Sequence, residues 1–459
     1  MNQEPVPAQR SPWQSGVASV QGVREKLSTV IRRYGLISFA FIQIIALTFL
    51  QKFAIQLDMV IFGTYVSIGA VQIILPIFYI SFLIFAISNR PSIDLVRLGL
   101  FTIWMFTVFI SVFIQRNLYS SSSVMLMVAC YAPFIFKVDI SAKTYSKILS
   151  IFINVMIIVS AIVLWEHAVQ LIWNWKVWPN LNLLVSPEFL LGGFNYIQPI
   201  TQTSKLMKPN GIFFLEVSTV SQFIAVAFAF ELIYFKRLWR LAFFLFVLLS
   251  TFAGTGPLLL VLCAPVLIWK LSPRSIGAFV LVLAIGFVAA DRIQWYQQVQ
   301  GRFTEYEKQN SSASKRFVDP LISLVDAVQN KDAFFTGIGP GNTVKTDGTV
   351  SWAVTKVSVE YGLLPMLAFA SFVGYVLFKN APSQRVAFLL VVLFNFMGGG
   401  IIIPIYPLML FLFGGLFRLE EPKPRRRSRR KSESSSPPDG TLGLGSKSLK
   451  DGSRLGQLT

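Results

Sequence analysis

Long runs of apolar residues, separated by short polar or charged breaks, are the main pattern along this chain. A run of about twenty apolar residues can cross the hydrocarbon core of a bilayer as an α-helix. Because only helices and closed barrels satisfy backbone hydrogen-bonding groups inside lipid, repeated runs of this kind are typical of a helical membrane protein. The pattern predicts twelve helices, at 35–51, 62–88, 96–115, 122–138, 148–172, 211–235, 240–253, 256–271, 275–290, 352–378, 385–400 and 402–418.

The stretch 240–271 leaves two interpretations open, because the sequence Ala-Gly-Thr-Gly-Pro at 253–257 interrupts it. It is either two short helices or one kinked helix, and the second choice would make the number of spans odd. Lysine and arginine positions favour the even number, since short cytoplasmic loops carry an excess of both residues. With the N-terminus inside, the short outward loops hold only Lys52 and Arg116. We therefore predict an all-α, polytopic protein with both termini in the cytoplasm.

The predicted helices divide the chain into three parts. Residues 1–34 form a cytoplasmic arm, 35–418 form the transmembrane domain, and 419–459, rich in Ser, Gly, Pro and Arg, form a disordered basic cytoplasmic tail. Two outward segments are long, at about 173–210 and about 291–351. No small-residue cleavage site follows a short apolar core near the start, so the first apolar run is predicted to be a retained helix.

Composition excludes several classes of protein. Hydrophobic residues make up 54% of the 459 residues and charged residues only 14%, whereas about a quarter of an ordinary soluble domain is charged. A soluble enzyme, a disordered protein and a disulfide-stapled secreted module are therefore excluded. The net charge of +19 would suit nucleic acid binding, but much of it lies beside helices and in the tail, where it favours anionic lipid headgroups. We expect the bilayer, and no nucleic acid, as a partner.

Cysteine and histidine are too few for most metal or redox sites. Cys130 and Cys263 both lie inside apolar runs and are predicted to be buried thiols rather than a disulfide. His167 is the single histidine, which excludes a metal site with two histidine ligands. No Asp-x-Asp nucleotide-sugar motif is present. We expect neither a metal nor another cofactor.

The second outward loop has periodic patterns of its own. An interfacial amphipathic helix is predicted over 294–306 from aromatic and apolar residues at helical spacing, namely Trp295, Val299, Phe303 and Tyr306. A second helix is predicted to begin at Asp319 and Pro320 and to end near Asn330. Its apolar stripe comprises Leu321, Leu324, Val325 and Val328. This loop is predicted to lie on the membrane surface.

A lysine and a glutamate bracket the start of the predicted helix at 211–235. Lys208 lies at its outer mouth, and Glu216 follows inside an otherwise apolar stretch. A charge within a membrane helix costs about 2.5–3.5 kcal/mol on insertion scales, so it usually faces a cavity or a partner. Glu216 either holds an interhelical network together or accepts a proton from a hydroxyl group while Lys208 meets an anion.

Three further features near the outward side are candidates for chemistry. Lys315 and Arg316 precede a predicted helix N-terminus and either bind phosphate or are solvated surface charges. The glycines of Gly-Ile-Gly-Pro-Gly at 337–341 either cradle phosphate or form a tight turn, and the Lys-Ser/Thr of a P-loop is missing. Glu360 lies near the outer half of its predicted helix. Together they indicate binding or catalysis at the outer face of the membrane.

These segments, in this order, resemble the bacterial O-antigen ligase/polymerase superfamily of polytopic glycosyltransferases. The segment from Lys208-Pro-Asn-Gly to Glu216-Val-Ser is similar to the family's basic-Pro-x-Gly…Glu-Pro-Ser segment. Leu-Leu-Ser at 248–250 resembles the start of the family's next element, Arg316 its loop arginine, and Glu360-Tyr-Gly its Glu-x-Gly. The resemblance covers roughly residues 205–365.

The departures from the family pattern select among its activities. Lys208 stands where arginine is usual, and residues 250–256 lack the arginine of the family's Ser-x-Ser-Arg. Ser351-Trp352 stands where the ligases carry His-Asn, which favours a polymerase over a lipid A ligase. A ligase-type transferase stays open as an alternative, as does a transporter or flippase for lipid-linked glycans, although no internal repeat of the kind transporters show is apparent.

The resemblance implies roles for individual residues. The substrate would be a glycan linked to undecaprenyl diphosphate, polymerised into exopolysaccharide, capsule or O-antigen at the periplasmic face of the bacterial inner membrane. Lys208 and Arg316, with Lys315, would bind the pyrophosphate, and Glu216 or Glu360 would orient or deprotonate the acceptor hydroxyl. Trp295 and Phe303 would line the path of the glycan. A chain-length regulator and a flippase would be partner proteins.

Overall fold

Helices dominate the structure, a computed structural model that describes residues 34–61, 64–115, 119–173, 179, 181–194, 196–200, 204–269, 277, 314, 318–329, 331–343, 352–379, 381–397 and 400–420. The helices in chain order are α1 Tyr34–Phe49, α2 Ile74–Asn89, α3 Leu95–Ile114, α4 Ser121–Tyr131, α5 Ala142–Ile172, α6 Val217–Phe230, α7 Leu238–Ser250, α8 Thr255–Ile268, α9 Asp319–Gln329, α10 Lys331–Thr336, α11 Ala353–Tyr361, α12 Leu363–Lys379, α13 Gln384–Val392 and α14 Ile405–Leu410. Short strands accompany them: β1 Ala54–Ile61, β2 Thr64–Gln72, β3 Ser92–Ile93, β4 Phe136–Ile140 and β5 Phe417–Leu419.

Three of the described helices are long and apolar enough to cross a membrane. They are Leu95–Ile114, Ala142–Ile172 and Val217–Phe235, where α6 continues as a π-helix over Glu231–Phe235. Shorter apolar helices of 10–17 residues accompany them. A mostly helical protein with three candidate membrane-spanning helices among the described residues is therefore confirmed, whereas the number of twelve spans and the sidedness of loops and termini stay predictions. The N-terminal arm, the tail beyond residue 420 and nearly all of the predicted helix at 275–290 lie outside the described residues.

The long helices differ in how much of their surface the protein covers. In α3 only 28% of the most apolar window is buried, and large side chains including Ile103, Phe106 and Phe109 are exposed. In α6 the buried share of that window is 83%. An apolar surface left exposed on this scale is the kind that lipid covers, so α3 is suited to face the bilayer and α6 lies in the core.

The predicted helix at 62–88 is wrong over residues 64–72, which form a strand. Strands β1 and β2 form an antiparallel hairpin, paired from Ala54 with Gln72 to Ile61 with Thr64, and α2 begins only at Ile74. The residues of β2, Thr-Tyr-Val-Ser-Ile-Gly-Ala-Val-Gln, are rich in β-branched and aromatic types that favour strands. A short apolar run does not by itself distinguish strand from helix.

A small sheet closes one end of the helical core. Strand β4 pairs with β3 in antiparallel fashion and with β5 in parallel fashion. The buried Arg97 guanidinium joins the surrounding segments, because its Nη1 donates to the carbonyl oxygens of Phe134 at 3.3 Å, Phe136 at 2.9 Å and Gly415 at 2.7 Å. Asp94 caps the helix on which Arg97 lies and accepts from Lys137 at 2.8 Å. The strands are the part of the fold that an all-α prediction leaves out.

Helix breaks match the prediction over 240–271 and differ from it at Gly362. The stretch 240–271 is two helices, α7 and α8, rather than one kinked helix. The predicted helix 352–378 is broken at Gly362, whose φ of 90° suits glycine. Helix α9 begins at Asp319 as predicted, but most of its predicted apolar stripe is exposed, including Leu321, Val325 and Val328.

Candidate functional site

Residues 207–216, which include Lys208 and Glu216, form an irregular segment held by polar side chains of α5 and of the turn after α1. Gln170 accepts from the backbone N–H of Met207 at 2.7 Å, and Gln51 accepts from that of Leu215 at 3.4 Å. Gln170 also donates to the Met207 carbonyl at 3.1 Å. Buried backbone groups outside helices and strands need such partners. The segment is therefore a turn stabilised by side-chain hydrogen bonds rather than the beginning of a helix.

Glu166 holds the middle of this turn. Its carboxylate accepts from the backbone N–H of Gly211 at 2.7 Å and of Ile212 at 3.2 Å, and its side chain is fully buried. Both residues lie in the left-handed region, with φ of 64° for Gly211 and 61° for Ile212. That conformation is unusual for a β-branched residue such as isoleucine. The hydrogen bonds that the two backbone N–H groups donate to the buried carboxylate stabilise this conformation.

Lys52 lies beside the same turn. It is 2% exposed, and its Nζ is 5.1 Å from the centroid of the Tyr196 ring. Its carbonyl accepts from Leu191 at 2.8 Å, and the Tyr196 carbonyl accepts from the Asn210 side chain at 2.7 Å. Burial lowers the pKa of Lys52 from 10.5 to about 8, against the attraction of the Glu166 carboxylate, which raises it. The residues just before the β1–β2 hairpin, the loop that contains Tyr196 and the turn at 207–216 therefore lie against one another.

Stability is expected to depend on pH through Lys52. Between pH 8 and pH 10.5 the unfolded chain keeps a proton on Lys52 that the folded chain has released, so stability rises with pH through that window. The full effect is on the order of 3 kcal/mol. We therefore compare the midpoints of thermal unfolding of the detergent-solubilised protein and of Lys52→Met. The difference between the two midpoints should change by about 3–6 °C in favour of the unmodified protein between pH 7 and pH 10.

The exposed Lys205 provides the control for this experiment. Lys205→Met removes a lysine from the same loop without removing a buried charge, so its midpoint should follow that of the unmodified protein across the pH range. Parallel curves for the unmodified protein and Lys52→Met would contradict a burial effect at Lys52.

The structure places the two predicted functional residues at opposite ends of the turn. Lys208 is 6% exposed, and its backbone N–H donates to the Gln198 carbonyl at 2.8 Å. Glu216 is half-buried at the N-cap of α6, where its carboxylate accepts from Ser218 at 3.1 Å. The prediction that Glu216 lies within a helix is wrong, because the helix begins after it. A carboxylate at a helix N-terminus is favoured by the helix dipole. Burial, and to a smaller extent the nearby Glu216 carboxylate, raise the pKa of Tyr196 to about 12.

The turn between α7 and α8 lies directly against the start of α6. Thr255 donates to the Ser218 carbonyl at 3.1 Å, and the Gly256 N–H donates to Ser221 Oγ at 3.1 Å. A Cβ on Gly256 would overlap Ser221, so glycine permits this close approach. His167 Nε2 lies 2.7 Å from the Ser250 carbonyl and ties the same turn to α5. Residues 208–218 and 250–256, separate in sequence, are therefore neighbours.

Glu360 lies in a second polar cluster and is 1% exposed. Its carboxylate accepts from the Thr343 hydroxyl, and the Lys356 Nζ lies 3.7 Å away. Its carbonyl accepts from Gly339 at 3.0 Å, so the glycine-rich segment packs on the end of α11. Ile338 N–H likewise donates to the Val359 carbonyl at 2.9 Å. These N–H groups are engaged by the protein itself, which favours the tight-turn interpretation over a phosphate cradle.

A π-helix at Leu393–Met397 contacts α6, which begins beside the first cluster, and α11, which ends beside the second. Gln222 on α6 donates to the Met397 carbonyl at 3.1 Å, and Asn395 accepts from the Val354 N–H on α11 at 3.1 Å. The ring centroids of Trp352 and Phe396 are 5.0 Å apart. The starts of α6 and α11 are thereby braced by the same short element.

Four predicted site residues, Lys315, Arg316, Trp295 and Phe303, lie outside the described residues. No role in the site was predicted from sequence for Lys52, Glu166, Gln170 or Lys356. A charged or amide side chain inside or directly after an apolar run was the available signal for them. Among the described residues, no group of three or more His, Cys, Asp or Glu could hold a metal ion.

Comparisons with known proteins give no relative for this chain. No protein-family model matches it, and neither a curated protein nor a solved structure is detectably similar to it.

Proposed function

We propose that this protein is a membrane glycosyltransferase that polymerises polyprenyl-diphosphate-linked oligosaccharide repeat units. One observation supports the proposal: the described segments that resemble the O-antigen ligase/polymerase superfamily meet in two pairs. Residues 208–218 contact 250–256, and residues 337–341 contact the end of α11 at Glu360. Sites built from several distant segments are typical of enzymes, whereas motifs scattered by chance have no reason to meet.

The proposed topology has twelve spans, with both termini in the cytoplasm of a bacterial inner membrane. The asymmetry of lysine and arginine between the loops supports it. The loops at about 173–210 and 291–351 would then lie in the periplasm. Lys208 and Glu216, which flank the start of α6, would face that side, where lipid-linked repeat units are joined.

In the proposed reaction an acceptor sugar hydroxyl attacks the anomeric carbon of the donor glycan. The new glycosidic C–O bond forms as the bond from that carbon to the polyprenyl diphosphate breaks. The hydroxyl proton passes to Glu216, and the diphosphate leaves with the electron pair. Lys208 and, on the sequence resemblance, Arg316 with Lys315 stabilise the negative charge that develops on the leaving group, a task for which preorganised cations are effective.

Glu216 suits the role of base better than Glu360. Glu216 is half-buried at a helix start, so part of its side chain is accessible to a substrate. Glu360 is 1% exposed and already contacts Thr343 and Lys356. A general base must come within hydrogen-bond reach of the proton it takes. Glu360 is therefore assigned to supporting the glycine-rich turn and the start of the loop that follows it.

Reconstitution in liposomes tests the activity. The purified protein, given lipid-linked repeat units on one side and no energy source, should lengthen them into a ladder of glycan chains, also with EDTA present. Gel electrophoresis of the labelled glycan measures the ladder. A single transfer to a lipid A-type acceptor would instead indicate a ligase. Movement of the substrate across the bilayer without lengthening would indicate a flippase and would overturn the proposal.

A further inference from the structure

The turn between Lys208 and Glu216 depends on one buried carboxylate. Glu166 accepts two backbone N–H groups from consecutive residues, Gly211 at 2.7 Å and Ile212 at 3.2 Å. These residues lie three and four positions after Lys208 and five and four positions before Glu216. The conformation of this turn therefore sets the separation and the direction of the two residues assigned to the reaction.

Ile212 shows that the turn would not take this shape unaided. Its φ of 61° is one that glycine adopts readily and isoleucine avoids. The Glu166 carboxylate offers two acceptor oxygens, one for each N–H, and its full burial prevents water from replacing it. Residues held in such conformations are over-determined by their surroundings, and they cluster at functional sites.

Glu166 is itself anchored on a rigid element. It lies on the 31-residue helix α5, one helical turn before Gln170, which binds the backbone of Met207. Lys52 supplies a nearby positive charge from the turn after α1. The carboxylate is thus fixed in position relative to the turn, and it is too deeply buried to touch a substrate.

We propose that Glu166 is a positioning residue that holds Gly211 and Ile212 in the left-handed conformation and thereby aligns Lys208 with Glu216. This role rests on the proposed function, since it concerns the alignment of that site. Loss of the alignment is expected to reduce the rate of the bond-forming step more than the binding of the lipid-linked donor, because small displacements of reacting groups reduce rates steeply.

Replacement of Glu166 by glutamine tests the role. The carboxamide keeps the shape but offers one acceptor oxygen and places donor hydrogens against the second backbone N–H. In the liposome assay, kcat per folded protein should fall by about 10- to 100-fold, while KM for the donor changes by less than about threefold. Glu188→Gln, the same exchange at an exposed position, is the matched control and should leave both constants unchanged.

A rescue experiment separates positioning from folding. Ile212→Gly lowers the energy of the left-handed conformation, so Glu166→Gln/Ile212→Gly should regain about tenfold or more in kcat relative to Glu166→Gln, with Ile212→Gly alone close to the unmodified protein. Should Glu166→Gln fail to fold, Glu166→Asp, which keeps the charge, is compared with and without Ile212→Gly in the same way.

The outcomes separate the two proposals. An unmodified protein that does not lengthen chains overturns the polymerase proposal. An active unmodified protein with unchanged kcat per folded protein in Glu166→Gln, or with no gain from Ile212→Gly, overturns the positioning role alone.

Discussion

Lys208→Ala is expected to lower the rate of glycan chain extension by at least about 100-fold. Removing one preorganised group that stabilises a developing negative charge typically reduces kcat by about 10²–10³. The backbone N–H of Lys208 donates to the Gln198 carbonyl, and alanine retains this hydrogen bond. The rate of ladder formation in liposomes, divided by the amount of folded protein, measures the effect.

Two control variants show whether the charge is responsible. Lys208→Arg should keep most of the activity, since arginine keeps the positive charge and binds phosphate well. Lys205→Ala removes an exposed lysine three residues earlier and should be close to the unmodified protein. Arg316→Ala is expected to match Lys208→Ala. Normal chain lengths in both Lys208→Ala and Arg316→Ala would exclude the pair as a pyrophosphate clamp.

Gly337→Ala is expected to destabilise the folded protein by about 2–5 kcal/mol, from a left-handed backbone and an overfilled site. Gly337 has a φ of 75°, and a Cβ there would lie 2.6 Å from the Tyr361 backbone nitrogen. Neither the turn nor α11 can retreat easily, because Ile338 and Gly339 are hydrogen-bonded to α11. The midpoint of thermal unfolding in detergent measures the loss, and polymer synthesis should fall with the folded fraction.

Gly374→Ala is the matched exchange for this second test. Gly374 lies inside α12, where a Cβ would meet nothing within 4 Å. Alanine has the higher helix propensity, so this variant should be as stable as the unmodified protein or slightly more so. Equal midpoints for Gly337→Ala and Gly374→Ala would mean that the glycine turn does not require its close approach to α11.

The extent to which sequence anticipates this fold varies with the length of each apolar run. Helix α3 was predicted at 96–115 and is found at Leu95–Ile114, since a long run without breaks has one interpretation. The hairpin of β1 and β2 was missed, because its strands are short and apolar, and pairing between strands is not a local property. The break at Gly362 was missed for a related reason: an isolated glycine is tolerated in a helix unless another segment contacts it.

The candidate site shows the same division. Lys208, Glu216 and Glu360 stood out because charges are rare in apolar runs. The surroundings of these residues could not be predicted from sequence. In the structure Glu216 is half-buried, whereas Glu360 is buried and contacts Thr343 and Lys356.

The sequence by itself determined the mostly helical structure with apolar helices long enough to span a membrane, and it showed where the few ionisable residues of the apolar stretches lie, because hydrophobicity and length act locally along the chain. Tertiary structure decided which of those residues meet. Glu166 reaches Gly211 across 45 positions, and Gln51 reaches Leu215 across 164. A backbone N–H in an irregular turn takes whichever acceptor the fold brings to it, and that choice becomes visible only when the helices are packed together.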